Sequence, residues 1–438
     1  MSRQEATETA EAMLMLGTLE PPYTWAESAA SLVGRLTPRV AARRQVKEKR
    51  SPWRAVALCA LAAVAILATA FAASPKLRAT VTGWFASNAV LNVDSISFVN
   101  TQHGWILGMA NTQAICPVTQ RCGLELRATD NGGRTWFPLD APKAYGAGSI
   151  YFANTRDGWI YGKGLWSTHD GGRFWRKVTS LYTEDLQARA GSVWALESSC
   201  QLGLGCRAAV RRSAIGRDAW QGVSTVPARA AFAGAYLTLF GKSGAYLLTN
   251  GLSGSGVSQR QVEGLYVTFN VGGSWRKRSA PCASAQEPGI GGEASLATNN
   301  GIDLFVMCAG MPGTGEQPKA LFASQDGGKK WHEVALARGY NYERQHPGGL
   351  PENGYLGQFH VNPSGQLWLA LERWSVLTSN DGGRTWRQSL AYPEPDTNGG
   401  GVTAMAFAGR REAWAVGDPR TIFHTTDGGE HWTYIQVN

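Results

Sequence analysis

The chain has 438 residues, including 53 glycines and 17 tryptophans, and its formal net charge is +9 at pH 7. Nine Lys/Arg and six Asp/Glu lie in residues 1–54, so the surplus over the remaining residues is about +6. No helix-turn-helix or zinc-finger spacing accompanies this charge, and we therefore expect no nucleic-acid partner. Abundant glycine and aromatic residues favour β-structure with many tight turns over a helical protein.

The N-terminal part of the sequence predicts a membrane anchor. Residues 55–73 form an uncharged apolar run of nineteen residues, and as a helix they would span roughly 28 Å, close to the hydrocarbon thickness of a bilayer. Eight basic residues lie between 35 and 54, whereas only Lys76 and Arg78 follow the run closely. This asymmetry predicts a cytoplasmic basic tail (1–54), a transmembrane helix (55–73), a linker (74–92) and an extracytoplasmic C-terminal part.

A cleaved secretion signal is the alternative interpretation of the same run. Ala70-Phe71-Ala72 resembles a small-x-small cleavage site. The leader before the apolar run exceeds fifty residues, however, which is too long for an ordinary signal peptide. The sequence therefore favours an uncleaved single-pass anchor in the cell membrane.

The cysteines indicate an oxidising compartment. One of the seven cysteines, Cys59, lies inside the apolar run, and the other six lie beyond it. Two pairs are each separated by six positions around a polar loop, and the last pair follows by elimination. Metal ligation is the alternative, but the sequence has no CxxC motif and no nearby histidine cluster. The predicted disulfides are Cys116–Cys122, Cys200–Cys206 and Cys282–Cys308.

A short motif, here called the box, recurs through the C-terminal part. Its six clear copies are TDNGGRTW, THDGGRFW, TFNVGGSW, SQDGGKKW, SNDGGRTW and TTDGGEHW, and SAIGRDAW (213–220) keeps only the serine and the tryptophan. A period of roughly 40 to 55 residues is typical of repeat architectures. The box residues expected to act structurally are Asn131, Trp136, Asp170, Trp175, Asn270, Trp275, Asp326, Trp331, Asp381, Trp386, Asp427 and Trp432.

The residues of the box predict a β-hairpin whose turn is held by hydrogen bonds from its own side chains. Ser/Thr and Asp side chains hydrogen-bond to the backbone of a turn, and glycines adopt the positive φ that such turns need. A calcium loop would need more alternating carboxylates, and a phosphate cradle would need a following Lys-Ser/Thr. The box is therefore interpreted as structural, and no metal or cofactor is expected.

The segment before each box completes a four-stranded unit. In residues 405–418, an alternating apolar run, a polar turn and a second run with Trp414 precede two further strands around the box. Comparable runs surround Trp105, Trp159, Trp194, Tyr246, Phe305 and Trp368. Seven such units predict an all-β fold over residues 93–438, a seven-bladed β-propeller of four-stranded antiparallel blades.

The box resembles the Asp-box, or bacterial neuraminidase repeat, of sialidase and sortilin propellers. The sequences HGWILG and DGWIYG, the second followed by STHDGGRFW, are most similar to repeats of the photosystem II stability/assembly factor-like family. The resemblance covers residues 93–438 and implies a propeller whose boxes are structural. The basic tail with its anchor and the three predicted disulfides depart from what an assembly factor requires.

Catalytic motifs known from other enzymes are absent from the sequence. A sialidase-like glycosidase would need an arginine cluster, and the early Arg-Ile-Pro wording of that family does not occur. No HExxH, GxSxG or Walker sequence occurs either. The chain is therefore predicted not to be an enzyme, with a glycan-binding or glycoside-cleaving propeller as the alternative.

The face opposite the boxes is the expected binding surface. It is built from the hairpins between second and third strands and from the connections between blades, where propellers usually hold ligands. Its longest connection brings together aromatic and charged groups of the kind that interfaces favour. The predicted function is a protein-binding or assembly scaffold, with surface glycan as the alternative ligand. The candidate partner-binding residues are Tyr340, Tyr342, Glu343, Arg344 and His346.

Overall fold

The computed structural model describes residues 90–111, 123–143, 147–201, 205–223, 229–230, 232–253, 260–282, 290–337, 348–372, 375–391, 401–417 and 421–437. They form 29 β-strands in seven antiparallel sheets, and the strands of each sheet follow one another in chain order. The predicted seven-bladed β-propeller of four-stranded blades is therefore confirmed. Residues 1–89, with the predicted tail and transmembrane helix, lie outside the described residues.

No helix among the described residues has the length and apolar character needed to cross a membrane.

The first three blades use strands β1 to β13. Blade 1 contains β1 (Val90–Phe98), β2 (Gly104–Asn111), β3 (Leu124–Thr129) and β4 (Phe137–Leu139). Blade 2 contains β5 (Ala147–Phe152), β6 (Gly158–Gly162), β7 (Gly164–Thr168) and β8 (Arg176–Thr179). Blade 3 contains β9 (Tyr182–Arg189), β10 (Ser192–Gln201), β11 (Gly205–Ala214) and β12 (Gln221–Gly222), and β13 (Arg229–Ala230) also pairs with β11.

The other four blades each have four strands. Blade 4 contains β14 (Phe232–Phe240), β15 (Gly244–Ser253), β16 (Arg260–Thr268) and β17 (Arg276–Arg278). Blade 5 contains β18 (Ile290–Ala297), β19 (Leu304–Gly310), β20 (Lys319–Ser324) and β21 (His332–Ala337). Blade 6 contains β22 (Tyr355–Val361), β23 (Leu367–Glu372), β24 (Ser375–Ser379) and β25 (Arg387–Ala391). Blade 7 contains β26 (Ala404–Ala408), β27 (Glu412–Val416), β28 (Thr421–Thr425) and β29 (Thr433–Gln436).

Burial along the strands follows their position in a blade. Every residue of the third strands β7, β20 and β24 is buried, because both faces of a blade pack against neighbouring blades. The fourth strands β8 and β25 are largely exposed and begin with two exposed polar residues each. A propeller blade therefore needs continuous apolar runs in its middle strands and a polar outer strand.

Aromatic side chains of the first and second strands fill the spaces between blades. Phe98 of blade 1 stacks on Trp414 of blade 7, with ring centroids 3.6 Å apart and planes 2° apart. Trp105 of blade 1 stacks on Phe152 of blade 2 with the same centroid separation. The core is thus a series of interfaces between blades, not one central cluster.

Except between blades 2 and 3, where β9 packs against β6, the first strands of neighbouring blades pack against one another, and the first strands surround the centre of the ring. All first strands except β26 show a register irregularity against their second strand, near the end at which the first strand begins. A bulge changes the direction of a side chain locally. Asp94, Glu184 and Gln358 lie at these irregularities.

Candidate functional site

The two faces of the propeller are built from different turns. Because each blade is an antiparallel meander, the turn between its third and fourth strands lies beside the turn between its first and second strands. The Gly132 N–H in the box of blade 1 accordingly donates to the Gln102 carbonyl oxygen at 2.9 Å, and Gly428 in blade 7 donates to Arg411 at 2.8 Å. We call this side the box face, and the side with the remaining turns and the blade connections the loop face.

The box of blade 6 shows how these residues hold the turn. The Ser379 hydroxyl donates to Asp381 Oδ1 at 2.8 Å and accepts a hydrogen bond from the Gly383 N–H at 2.8 Å. Asp381 Oδ1 also accepts from the N–H groups of Arg384 and Thr385, each at 3.0 Å. Gly383 has φ +92°, and a Cβ there would lie 2.0 Å from Leu321 of the preceding blade. The box thus fixes a hairpin and brings two blades into close contact.

The hydrogen bonds of this turn favour the charged form of its carboxylate. Burial would raise the pKa of the Asp381 carboxyl, but the hydrogen bonds from Thr385, Ser379 and Arg384 outweigh burial and lower the pKa to about 2. The Asp427 pKa is also lowered, first by the backbone and ring N–H groups of His431. These carboxylates are fully engaged within their own turns.

The other clear boxes have the same geometry. In each of them the Ser or Thr hydroxyl donates to the Asp or Asn side chain and accepts from the backbone four residues on. Trp386 is buried. The other box tryptophans are partly buried: Trp136, Trp175, Trp275, Trp331 and Trp432. The Asn or Asp residues of these boxes are Asn131, Asp170, Asn270, Asp326 and Asp427.

The seventh stretch, in blade 3, retains part of the box. The Ser213 hydroxyl accepts a hydrogen bond from the Ala219 N–H at 3.1 Å and donates to the Arg217 carbonyl oxygen. Asp218 points to blade 2 and accepts a hydrogen bond from the Ser167 hydroxyl at 2.8 Å. The turn has lost its paired glycines but still connects two blades.

The predicted cysteine pairs differ in what the structure describes. Cys282 and Cys308 form a disulfide, and both side chains are buried. The register of β10 and β11 places Cys200 opposite Cys206. Cys116 and Cys122 lie outside the described residues. The candidate partner-binding residues also lie outside the described residues: Tyr340, Tyr342, Glu343, Arg344 and His346.

A recess of about 220 Å³ opens between blades 4 and 5. Its position follows from the ends of four strands, because β14 and β18 begin and β15 and β19 end on the loop face. Gly234 leaves room for the neighbouring ring, since a Cβ there would lie 3.1 Å from the Tyr236 hydroxyl. We call this site the recess. Its lining residues are Gly234, Tyr236, Asn250, Glu293, Gly310, Met311 and Pro312.

One wall of the recess is held by the buried amide of Gln317. Its Nε2 donates to Glu293 Oε2 at 3.2 Å and to the Gly310 carbonyl oxygen at 2.9 Å. Its Oε1 accepts from the Leu356 N–H at 2.6 Å. The fully buried Lys319 donates to the carbonyl oxygens of Gln317, Glu352 and Gly354 at 2.7 to 2.9 Å. The loop that carries the recess wall is thereby fixed to the segment that precedes blade 6.

One acidic side chain lines the recess and two more lie near it. Burial raises the pKa of Tyr236, and the charges of Glu293, Asp185 and Glu184 raise it further. Burial also raises the pKa of Glu293, although the Gln317 hydrogen bond opposes this. The Asp185 pKa rises to about 6 through burial, against the hydrogen bonds from Leu237 and Leu186. Three acidic side chains thus lie close enough to Tyr236 to affect its pKa.

Large apolar side chains are exposed near the loop-face ends of the strands. Met311 is 76% exposed, and Tyr236 is 41% exposed. Exposed apolar groups around a recess are typical of interaction surfaces. The other exposed large apolar residues on this face are Met109, Leu181 and Tyr182.

Sequence reasoning did not find the recess. Tyr236 and Glu293 lie in the first strands β14 and β18, where alternation of apolar residues is the main pattern. The available signal was the interruption of that pattern by acidic residues, as in the segments of Asp94, Asp185 and Glu293.

Among the described residues, no group of three or more His, Cys, Asp or Glu side chains is arranged to hold a metal ion.

Two curated sequences are similar to parts of this chain. One is an oligoxyloglucan-reducing end-specific xyloglucanase of Emericella nidulans, 27% identical over 187 residues, which cover 39% of this chain and 22% of that protein. The other is a probable enzyme of the same name from Neosartorya fischeri, 30% identical over 123 residues, which cover 26% of this chain and 14% of that protein. The match thus spans about a fifth or less of the length of each curated relative.

These relatives correct the prediction that the chain is not an enzyme. Both matched proteins are named as xyloglucanases, so parts of the sequence are similar to glycan-cleaving enzymes. The missing Arg-Ile-Pro motif is evidence only against a sialidase, because other glycosidases do not need this motif. The absence of known motifs was therefore too narrow a basis for excluding catalysis.

The family and structure comparisons agree with the resemblance seen in the repeats. Residues 358–438 match the family model described as Photosynthesis system II assembly factor YCF48. The fold is similar to a structure described as YCF48 bound to D1 peptide, with a TM-score of 0.50 and 17% identity over 77% of this chain and 94% of that one. KlAtg21 in complex with the coiled-coil of AgAtg16 also has a TM-score of 0.50, at 11% identity over 80% and 100% of the chains. The predicted resemblance to Asp-box propellers, and above all to the photosystem II stability/assembly factor-like family, is confirmed.

Proposed function

We propose that the chain is a membrane-anchored, extracytoplasmic propeller that binds a polypeptide on its loop face. The observation that carries this proposal is the exposed apolar surface around the acidic recess, with Met311 and Tyr236 at its edge. Interfaces favour such aromatic and methionine side chains beside a few polar groups. The turn carboxylates of the box face, in contrast, accept hydrogen bonds from their own turns.

Similarity of fold supports peptide binding as a use of this architecture. The YCF48 structure of the same fold is described with a bound D1 peptide. The family match over 358–438 points in the same direction. The partner of this chain is proposed only by class, as a polypeptide exposed on the same side of the membrane.

Photo-crosslinking tests which face binds. A photoreactive phenylalanine analogue would replace Met311 or Leu181 on the loop face, and Phe174 or Ile302 on the box face, in the full-length chain within its own cells. All four positions are exposed, so the box-face variants are matched controls. We expect protein crosslinks from the loop-face positions only. Equal crosslinking from both faces, or crosslinks from the box face alone, would contradict the proposal.

The membrane arrangement is a separate part of the proposal. The apolar run 55–73 and the basic residues before it support an anchor with its N-terminus in the cytoplasm. The Cys282–Cys308 disulfide supports an oxidising compartment for the propeller. External protease added to spheroplasts should remove a C-terminal epitope tag and leave an N-terminal tag intact. Protection of both tags would contradict this topology.

Glycan cleavage is the second candidate function. It is favoured by the 27% identity to a xyloglucanase over 187 residues and by the Glu293 carboxyl group in the recess, whose pKa burial raises. Glycoside hydrolysis needs one carboxyl group that stays protonated and one that is ionised. Incubation of the full-length chain with xyloglucan oligosaccharides, followed by mass spectrometry, tests this candidate. Products that form with the wild type and not with Glu293→Gln would support it, whereas unchanged oligosaccharides would reject it.

A further inference from the structure

The recess between blades 4 and 5 contains a buried polar group without a partner. Asn250 is 4% exposed, and its Nδ2 donates to the Ala294 carbonyl oxygen at 3.2 Å. Its Oδ1 has no hydrogen-bond partner among the described residues. A buried acceptor is costly when it is left unpaired, and this one lies in the lining of an open recess. Asn250 thus adds to the wall of the recess an acceptor that no described residue satisfies.

The second polar group of the recess carries negative charge. The described hydrogen bond of the Glu293 carboxylate is the one from Gln317 at 3.2 Å. Within the described ranges, no Lys, Arg or His side chain forms an ion pair with Glu293. Together with Asn250 Oδ1, the recess presents acceptors that need a donor.

Neighbouring acids add to the negative potential without closing the recess. Glu184 accepts a hydrogen bond from the Ser198 hydroxyl at 2.5 Å. Both Asp185 oxygens accept backbone N–H groups, from Leu186 at 2.7 Å and Leu237 at 2.8 Å. These bonds fix the two side chains but do not neutralise their charge. A cation entering from the loop face would be attracted to this side of the ring.

The size and walls of the recess suit one long side chain. Its volume of about 220 Å³ is below the roughly 300–1,000 Å³ of pockets for complete small molecules. Met311 and Pro312 provide an apolar wall, and the Tyr236 ring provides an aromatic surface. Lysine and arginine place an apolar stem against such walls and a cationic head against acceptors or ring faces.

We propose that the recess binds the cationic side chain, lysine or arginine, of the partner polypeptide. Glu293 and Asn250 Oδ1 accept hydrogen bonds from the cationic head, and Tyr236 and Met311 contact its stem. This inference rests on the proposed polypeptide-binding function and specifies the chemistry of one partner residue. An acidic ligand group would meet like charge, and an apolar side chain would leave Asn250 Oδ1 and Glu293 without donors.

Methyl NMR of the full-length chain in mild detergent tests the inference directly. The probes are N-acetyl-arginine methylamide and its uncharged isostere N-acetyl-citrulline methylamide. The Met311 methyl group reports on the recess, and its signal is assigned from the Met311→Leu spectrum. Met109, also exposed on the loop face, is the control signal. We expect the arginine probe to shift Met311 but not Met109, and the citrulline probe to bind at least tenfold more weakly.

Matched variants separate charge from folding. Glu293→Gln should weaken binding of the arginine probe at least tenfold, whereas Glu316→Gln, in the exposed loop after Met311, should leave binding unchanged. Tyr236→Phe should retain binding and Tyr236→Leu should weaken it, which provides a second test if Glu293→Gln folds poorly. Equal binding of the two probes, or the absence of a Met311 shift in the wild type, would overturn the inference. The crosslinking experiment would still test polypeptide binding in that case.

Discussion

The Trp414 indole Nε1 in the last blade donates a hydrogen bond to the Gly132 carbonyl oxygen in the first blade, at 3.1 Å. Trp105 makes the same bond to Gly171 of the next blade, also at 3.1 Å. Both acceptors are the first glycine of a box. Among the described residues, blade 7 takes all four of its strands from the C-terminal part and shares none with blade 1. Side-chain packing between β26–β29 and β1–β4 therefore joins the last described blade to the first.

Replacing Trp414 should weaken this closure. Trp414 is fully buried and stacks on Phe98, so Trp414→Leu should lower the free energy of unfolding by about 3 kcal/mol. Trp414→Phe should cost less, because it keeps an aromatic ring and loses mainly the hydrogen bond. Urea unfolding monitored by circular dichroism gives both values.

Trp159 provides the matched control for that hydrogen bond. It is 1% exposed, and its indole nitrogen has no partner among the described residues. Trp414→Phe should therefore be more destabilising than Trp159→Phe, by about 1 kcal/mol. Equal losses would show that the bond to Gly132 adds nothing to the closure.

The box carboxylates should make the free energy of unfolding depend on pH in the acidic range. The folded pKa of Asp381 is about 2, below an unfolded value of about 3.9. Its contribution is therefore fully present above about pH 4 and is lost as the pH falls toward 2. Asp326 and Asp427 shift in the same direction. We expect the urea midpoint to fall steeply between pH 4 and 2.5.

Asp381→Asn tests the origin of that dependence. Asparagine is compatible with the turn, because Asn131 accepts the Thr135 N–H at 3.0 Å in the box of blade 1. The variant should fold, have a lower midpoint at neutral pH and show a shallower decline in acid. A decline identical to that of the wild type would assign the acid sensitivity to other carboxylates.

The sequence predicted the fold because the box is local. The Ser379, Asp381 and Gly383 contacts lie within one turn, so their spacing is visible in the chain itself. The recess is different, because Tyr236, Asn250 and Glu293 come from three strands of two blades and Met311 from the loop after β19. Their meeting depends on bulges and on the packing of adjacent blades, which hydrophobic periodicity does not specify.

The box of blade 4 contains a residue with a strained backbone conformation, and a substitution can remove this strain. Val271 occupies the first glycine position with φ +61°, where Gly132 has φ +76°. A left-handed conformation costs a non-glycine residue about 1–2 kcal/mol, and glycine adds an entropy cost of roughly 0.5–1 kcal/mol. Val271→Gly should therefore stabilise the fold, by about 0.5–1 kcal/mol.

Val271→Ala is the control, because it removes the same methyl groups and keeps a Cβ. Val271 packs against the core between blades 3 and 4, so the alanine variant should be neutral or destabilised. Thermal unfolding of the two variants and the wild type distinguishes strain from packing. If both variants lose the same stability, packing outweighs the strain at this turn.

Lys319 should be essential for the structure of the recess wall. Its ammonium group is fully buried and donates to three carbonyl oxygens. Lys319→Met keeps the length of the side chain but leaves those acceptors unpaired, so we expect a loss of about 3 kcal/mol or more. The exposed Lys330 is the matched control, and Lys330→Met should change the free energy of unfolding by less than about 0.5 kcal/mol. Because Gln317 both accepts from Lys319 and donates to Glu293, the Met311 methyl signal should also move in Lys319→Met. A variant of full stability with an unchanged Met311 signal would show that the loop is held by its other contacts.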